Sequence, residues 1–299
     1  MRNIRQAAPK QVTTAATGSG LRTDHLNLSY GQVVVIPDLT LDISHGRVTS
    51  LVGRNGCGKS TLLRCMGKLL EPRSGSVVLD GRDIAHIAPR TLAQHLAILP
   101  QGPTAPDGLT VAELVEHGRY PHRRALGGST QEDRRIVRWA LKQTGMDGLA
   151  HRPLERLSGG QRQRAWIAMA LAQDTDVILL DEPTTYLDVA YQLELMELLR
   201  RLNQEHGRTI LMVLHDLNQA AAYSDELIAI AEGKVYAAGN PREVLTETMV
   251  REVFGIEADV IADPRTGGPL CIPYGLSRAE ATAVAPPGDA EMATGSGAP

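Results

Sequence analysis

Three cysteines in 299 residues, Cys57, Cys65 and Cys271, are too few and too scattered for a disulfide framework or a thiolate zinc cluster. Long apolar runs are missing too. Residues 177–180 and 210–214 have the length of strands and fall far short of the ~18 apolar residues of a membrane helix. The first twenty residues carry Arg2, Arg5 and Lys10 without the apolar stretch of a signal peptide. There is no basic excess: 31 Lys and Arg face 34 Asp and Glu, a formal charge of −3, which argues against sequence-independent nucleic-acid binding. What is present, 42% hydrophobic and 22% charged residues, has the proportions of a globular chain that keeps its thiols reduced.

Residues 1–20 and 277–299 have no periodicity and little that would enter a core, so both are expected to be disordered tails around a folded region, 21–276. Residues 47–52 form a strand that runs at once into glycines and then into a helical stretch, 60–70. The apolar runs at 177–180 and 209–214 suit parallel strands covered on both faces. Residues 161–173 are apolar nearly all round, which predicts a buried helix. Residues 189–203 place Val189, Leu193, Met196, Leu199 and Leu202 on one stripe, an amphipathic helix against a sheet. Strand and helix alternation gives an α/β fold with a mainly parallel sheet. Residues 26–30 and 33–43 alternate with no helix between them and predict an antiparallel element near the N-terminus.

Gly53-Arg54-Asn55-Gly56-Cys57-Gly58-Lys59-Ser60-Thr61 is a P-loop in its required context, after a strand and before a helix. Its glycines let successive backbone N–H groups face phosphate oxygens, and the helix N-terminus adds a favourable dipole. Lys59 then reaches the β and γ phosphates, and the Ser60 hydroxyl is a Mg²⁺ ligand. Cys57 and Cys65 read as small residues facing the core. Downstream, Asp181 and Glu182 end an apolar strand. Asp181 suits a carboxylate that holds Mg²⁺, and Glu182 projects to where it can take a proton from water. Alone, that pair also reads as acidic residues at a helix start. Leu157-Ser158-Gly159-Gly160-Gln161 offers a hydroxyl and bare backbone N–H groups at a helix start, a second anion site or an ordinary N-cap.

With these motifs in order, the sequence resembles the ATP-binding-cassette (ABC) ATPases over about 21–254. The resemblance implies a P-loop ABC fold with a helical subdomain inserted at about 102–165. It implies ATP as substrate and Mg²⁺ as cofactor, and it assigns roles residue by residue. Tyr30 would stack on adenine, and Gln101 would be the Q-loop glutamine that senses Mg²⁺ along with Ser60 and Asp181. Ser158, Gly159, Gly160 and Gln161 would close over the ATP of a partner subunit. Asp188 would lie in the D-loop, Glu182 would be the general base, and His215 would orient Glu182 and water. One P-loop and one signature per chain then imply a head-to-tail homodimer.

The lack of a membrane span places the transport path in separate permease subunits, fed indirectly by a substrate-binding protein, with this chain peripheral on the cytoplasmic face of the plasma membrane. Nucleic acid is not an expected partner. Residues 161–172, the run Asp181 to Asp188 with Tyr186, and Val253-Phe254-Gly255-Ile256 resemble the ferric-siderophore importer ATPases. Cobalamin and haem importers share the architecture and stay open, as does a nucleotide-gated interaction module without transport. Residues 102–126 are expected to dock the permease, with Val111, Leu114, Val115 and Tyr120 serving either that contact or a local core. Arg123, Arg124, Arg162 and Arg164 read as solvated or permease-facing.

Overall fold

Strands β3 (Val48–Val52), β7 (Val177–Asp181) and β8 (Thr209–Val213) are buried at every residue, as expected of apolar strands covered on both faces. They form the centre of a six-stranded sheet in the computed structural model, which describes residues 20–123 and 128–277. The expected tails therefore lie almost wholly outside the described residues. The spatial order is β10 (Lys234–Gly239), β9 (Glu226–Ala231), β3, β8, β7, β6 (Leu96–Leu99). Only the β9–β10 pair is antiparallel.

Alternate side chains of the central strands enter opposite cores. Leu179, Leu211 and Val213 pack with β1 (Gly20–Tyr30), β2 (Val33–Ser44) and β4 (Ser74–Leu79), the expected antiparallel element, which β5 (Arg82–Asp83) completes as a four-stranded sheet. Helix α1 (Lys59–Met66) is sandwiched there through Leu62, Leu63 and Met66. Ile178, Leu180, Ile210 and Met212 face the other way, toward the helices. A short α2 (Pro89–Leu92) precedes β6, and a last hairpin pairs β11 (Ile256–Ala262) with β12 (Pro269–Leu276).

The helical insert contains α3 (Val111–His117) and α4 (Gln131–Gln143), packed on α5 (Gly159–Ala172). Each of these helices starts with a capping box: Thr110 with Glu113, Thr130 with Asp133, Ser158 with Gln161. Val111, Leu114 and Val115 are buried in this subdomain, so they serve its core rather than a docking face, whereas Tyr120 is exposed. Arg123 pairs with Glu116 and lies over the Tyr120 ring; Arg124 is outside the described residues.

Helix α6 (Val189–His206) corrects the stripe expected from spacing. Leu195, Met196, Leu198, Leu199 and Leu202 are buried, but Val189 and Leu193 are exposed, at 72% and 45%. The helix begins beyond the carboxyl edge of the sheet, where Val189 and Leu193 point outward while Tyr191 between them packs against the core. Arg164 is half-buried and not free on the surface: its guanidinium lies 3.9 Å over the Tyr191 ring. Helix α7 (Leu217–Tyr223) follows β8. Among the described residues, no helix is long and apolar enough to cross a membrane.

The insert depends on a buried ion pair. Arg119 Nε donates to Asp133 Oδ1 at 2.9 Å, at the N-terminus of α4, and its guanidinium also reaches the Ala172 carbonyl at the end of α5. An anion at one helix start and a cation at another helix end both suit the helix dipoles. Burial alone would raise the Asp133 carboxyl, but hydrogen bonds from Thr130 and Arg119 outweigh it and bring it from 3.8 down to about 2. Arg119→Leu should therefore cost about 3 kcal/mol in urea unfolding, because it strands a buried carboxylate. Since the folded pKa is the lower one, the carboxylate's stabilisation is complete above the unfolded value and is lost as the pH falls from there through about 2. The destabilisation by Asp133→Asn, measured the same way, should shrink between pH 6 and pH 3.

Candidate nucleotide site at the carboxyl edge of the sheet

Four adjacent parallel strands each deliver one piece of the site. β6 leads to Gln101, β7 to Asp181 and Glu182, β8 to His215, and β3 to the P-loop. The carboxyl edge of an open α/β sheet is where such folds place ligands.

Between β3 and α1 the chain turns through Gly53, Gly56 and Gly58, all at positive φ. Two of these positions require glycine. A Cβ on Gly53 would lie 2.2 Å from the Ile230 carbonyl oxygen, and Gly58, with φ 106°, caps α1 while pressed against Ile36. No side chain caps α1, so its first backbone N–H groups are free to meet an anion. Lys59 is buried to 5% exposure and folds back so that its ammonium donates to the carbonyls of Gly53 and Arg54, at 2.8 Å each. Arg54, Asn55 and Gly56 form the exposed crest of the loop, Cys57 and Cys65 are buried beneath it, and Thr61 is half-buried. Burial pushes the Cys65 thiol up to about 12, which leaves it inert. Tyr30 stands half-exposed at the tip of the β1–β2 hairpin, whose Val35 and Ile36 back onto Gly58.

Ser60 Oγ donates to Asp181 Oδ1 at 2.8 Å, joining the P-loop helix to the end of β7. The other oxygen, Asp181 Oδ2, is buried without a hydrogen-bond partner among the described residues. Burial raises the Asp181 pKa; the Ser60 hydroxyl opposes this and the neighbouring Glu182 charge adds to it. Glu182 sits in the left-handed region at φ 51°, a strained turn that lifts its carboxylate off the strand end. Three groups grip that carboxylate. His215 Nε2 is 2.6 Å from Oε1, Gln101 Nε2 donates to Oε2 at 2.7 Å, and the Thr185 hydroxyl reaches Oε2 at 3.3 Å. Because a carboxylate only accepts, Nε2 is the protonated nitrogen of His215. The Gln101 side chain thus meets Glu182, while its backbone meets Asp181.

Of the signature residues, Ser158 and Gly159 are exposed, while Gly160 and Gln161 are half-buried. Ser158 Oγ accepts from the Gln161 backbone and Gln161 Oε1 from the Ser158 backbone, so the N-cap is satisfied while the Gly159 and Gly160 amides remain. Gly160 packs so close to the segment after β7 that a Cβ would come 3.0 Å from the Tyr186 carbonyl oxygen. Asp188 caps α6 through the Tyr191 backbone N–H, at 3.0 Å.

Several residues that shape this site were given no role from the sequence. Gln163 Nε2 holds the Pro183 carbonyl at 3.2 Å, Thr185 touches Glu182, and Gln192 holds the carbonyls of Thr184 and Leu187. Gln163 had a visible signal, as an amide on a helix otherwise apolar nearly all round. Thr185 and Gln192 had none.

The sequence profile of the ABC transporter family matches residues 36–185. The iron(3+)-hydroxamate import ATP-binding protein FhuC of Bacillus subtilis is 52% identical over 262 residues, 88% of this chain and 97% of the relative. The ferric enterobactin transport ATP-binding protein FepC of Escherichia coli is 48% identical over 255 residues, 85% of this chain and 94% of the relative. A cobalamin import ATP-binding protein of Halobacterium salinarum is 40% identical over 239 residues, 80% of this chain and 60% of the relative. Among solved structures, an inward-facing metal-chelate type ABC transporter aligns with TM-score 0.73 and 27% identity, covering 86% of this chain and 98% of that one. A dimeric bacterial ABC transporter cassette aligns with TM-score 0.68 and 30% identity, over 74% of this chain and 99% of that one. Strand order, loop geometry and these likenesses agree: the chain belongs to the ABC transporter family and is one of its ATP-binding cassettes, an ATPase.

Proposed function

We propose that the chain is the ATP-hydrolysing subunit of an importer for an iron(III)-siderophore, working as a homodimer beneath separate permease subunits on the cytoplasmic face of the plasma membrane. The observation that carries the hydrolytic part is Glu182, clamped at the sheet edge between His215 and Gln101, one residue beyond a carboxylate bonded to the P-loop serine. The cargo rests on identities of about one half, over nearly the whole length, to import subunits for hydroxamate and enterobactin iron complexes. A substrate-binding protein would present that cargo to the permease.

In this reading the β and γ phosphates lie on Lys59 and the amides of Gly53 to Thr61, with adenine against Tyr30. Lys59 leaves the loop carbonyls for the phosphates, a change of partner that keeps its charge satisfied. Ser60 and Asp181 would hold Mg²⁺: the orphaned Oδ2 and the raised pKa of Asp181 describe a buried oxygen donor set that a hard cation relieves. The ion would supply neutralisation of phosphate charge. Glu182 accepts a proton from the attacking water, His215 keeps the carboxylate aimed, and Gln101 relates it to the insert. Ser158 with the Gly159 and Gly160 amides closes over the partner's nucleotide, with Gln161 securing the cap.

Glu182→Gln should leave ATP binding intact, lower turnover by about 10²–10⁴, and trap a dimer visible by native mass measurement. Wild-type turnover would make Glu182 a structural carboxylate. The transport reading is tested in proteoliposomes that carry the integral-membrane protein copurifying with this chain, and its binding protein. A ferric hydroxamate should stimulate ATP hydrolysis and enter the vesicles. Stimulation by cobalamin or haem alone would replace the cargo, and the lack of any membrane partner would favour a nucleotide-gated interaction module.

A further inference from the structure

The first turn of α6, just after the D-loop, is where three parts of the chain meet. Gln192 Nε2 donates to the carbonyl oxygens of Thr184, at 3.3 Å, and Leu187, at 3.1 Å. Two acceptors fix the orientation of that amide and leave Oε1 as its accepting end. Gln219 Nε2 donates to it at 2.7 Å. Gln219 lies in the first turn of α7, four residues after His215, and its own backbone N–H caps onto Asp216. On the other side, Arg164 of the signature helix stacks on the neighbouring Tyr191, and Gln163 holds Pro183.

The backbone between Glu182 and Asp188 has no strand or helix to fix it. It relies on two turn bonds, Thr185 N–H to the Glu182 carbonyl and Leu187 N–H to the Thr184 carbonyl, both 3.2 Å, and it includes Glu182 and Tyr186 at positive φ. Thr185, whose hydroxyl touches the Glu182 carboxylate, follows directly on the carbonyl that Gln192 holds. A shift of that carbonyl therefore moves a ligand of the catalytic carboxylate. Gln219 Oε1, in contrast, is buried with no hydrogen-bond partner among the described residues, a cost that a link kept only for stability would not carry.

We propose that Gln192 is a positioning residue for ATP hydrolysis, which holds the D-loop backbone against the Glu182–His215 pair and ties it through Gln219 to the helix after His215. This inference rests on the hydrolytic reading given above.

Gln192→Glu keeps the shape and the acceptor for Gln219 but faces two carbonyl oxygens with a carboxylate. Its kcat should fall about tenfold, the value of one net hydrogen bond, with KM for ATP within about threefold. Affinity for a fluorescent non-hydrolysable ATP analogue should stay within about twofold, since the P-loop is untouched. The melting temperature should remain within a few degrees of the wild type. Gln219→Leu, which spares both D-loop bonds, should lower kcat by a smaller factor, about threefold. Wild-type kcat in Gln192→Glu, or a loss of kcat matched by an equal loss of folded protein, would overturn the proposal; wild-type kcat in Gln219→Leu would overturn the tie to α7. Glu182→Gln is run beside them. If it hydrolyses ATP normally, the hydrolytic reading itself fails. If it is inactive while Gln192→Glu is unimpaired, only the positioning role falls.

Discussion

Because β6, β7, β8 and β3 run parallel and side by side, their carboxyl ends fall on one edge of the sheet. Leu99 pairs with Leu180, Asp181 with Val213, and Leu51 with Val213, so Gln101, Asp181, Glu182, His215 and the P-loop emerge at one level. A one-residue slip of any of these strands would turn its side chains to the other face and carry its site residue out of reach. The register is protected by burial on both sides. Leu179 and Leu211 face one core while Ile178 and Ile210 face the other, so a slip would disrupt two packed interiors at once.

The chemistry at that edge depends on carboxylates in two environments. Asp181 is sealed in, with one oxygen on Ser60, the other unpaired among the described residues, and a raised pKa; it suits a cation. Glu182, one residue on, is lifted by a strained φ into a cluster of donors from two other strand ends and a turn. Neighbours in sequence, they are separated in role by where the strand stops. The same donors mean that movement of the segment after β6, or of the helix after β8, is felt at the Glu182 carboxylate.

The helical insert reaches this edge through α5, the signature helix. Arg119 binds the end of α5 to the start of α4, and Gln163, Arg164 and Gly160 press the start of α5 onto the segment after β7. The signature and the D-loop of one chain are thus a single packed unit. That arrangement suits the homodimer proposed above.

Much of this was legible in the sequence, for a physical reason: the pieces that name the family are local. Gly53 to Thr61 needs only near neighbours to define an anion loop, Ser158 with Gln161 is a capping box within one turn, and β7 and β8 announce themselves as apolar runs. The antiparallel element showed through its alternation. What the sequence could not decide was contact at a distance. Periodicity placed Val189 and Leu193 on a buried stripe, yet the helix starts beyond the sheet, and only the path of the chain reveals that. Arg164 reads as a surface charge until Tyr191, 27 positions away, comes beneath it. Gln101 was expected with Ser60 and Asp181; the strand order keeps its backbone at Asp181 and adds a side-chain bond to Glu182. Gln192 and Gln219 have no motif, because an amide that holds a loop is chosen by the positions of carbonyls and not by the residues that bear them. Every peptide unit carries the same carbonyl, so tertiary structure alone decides which ones need holding.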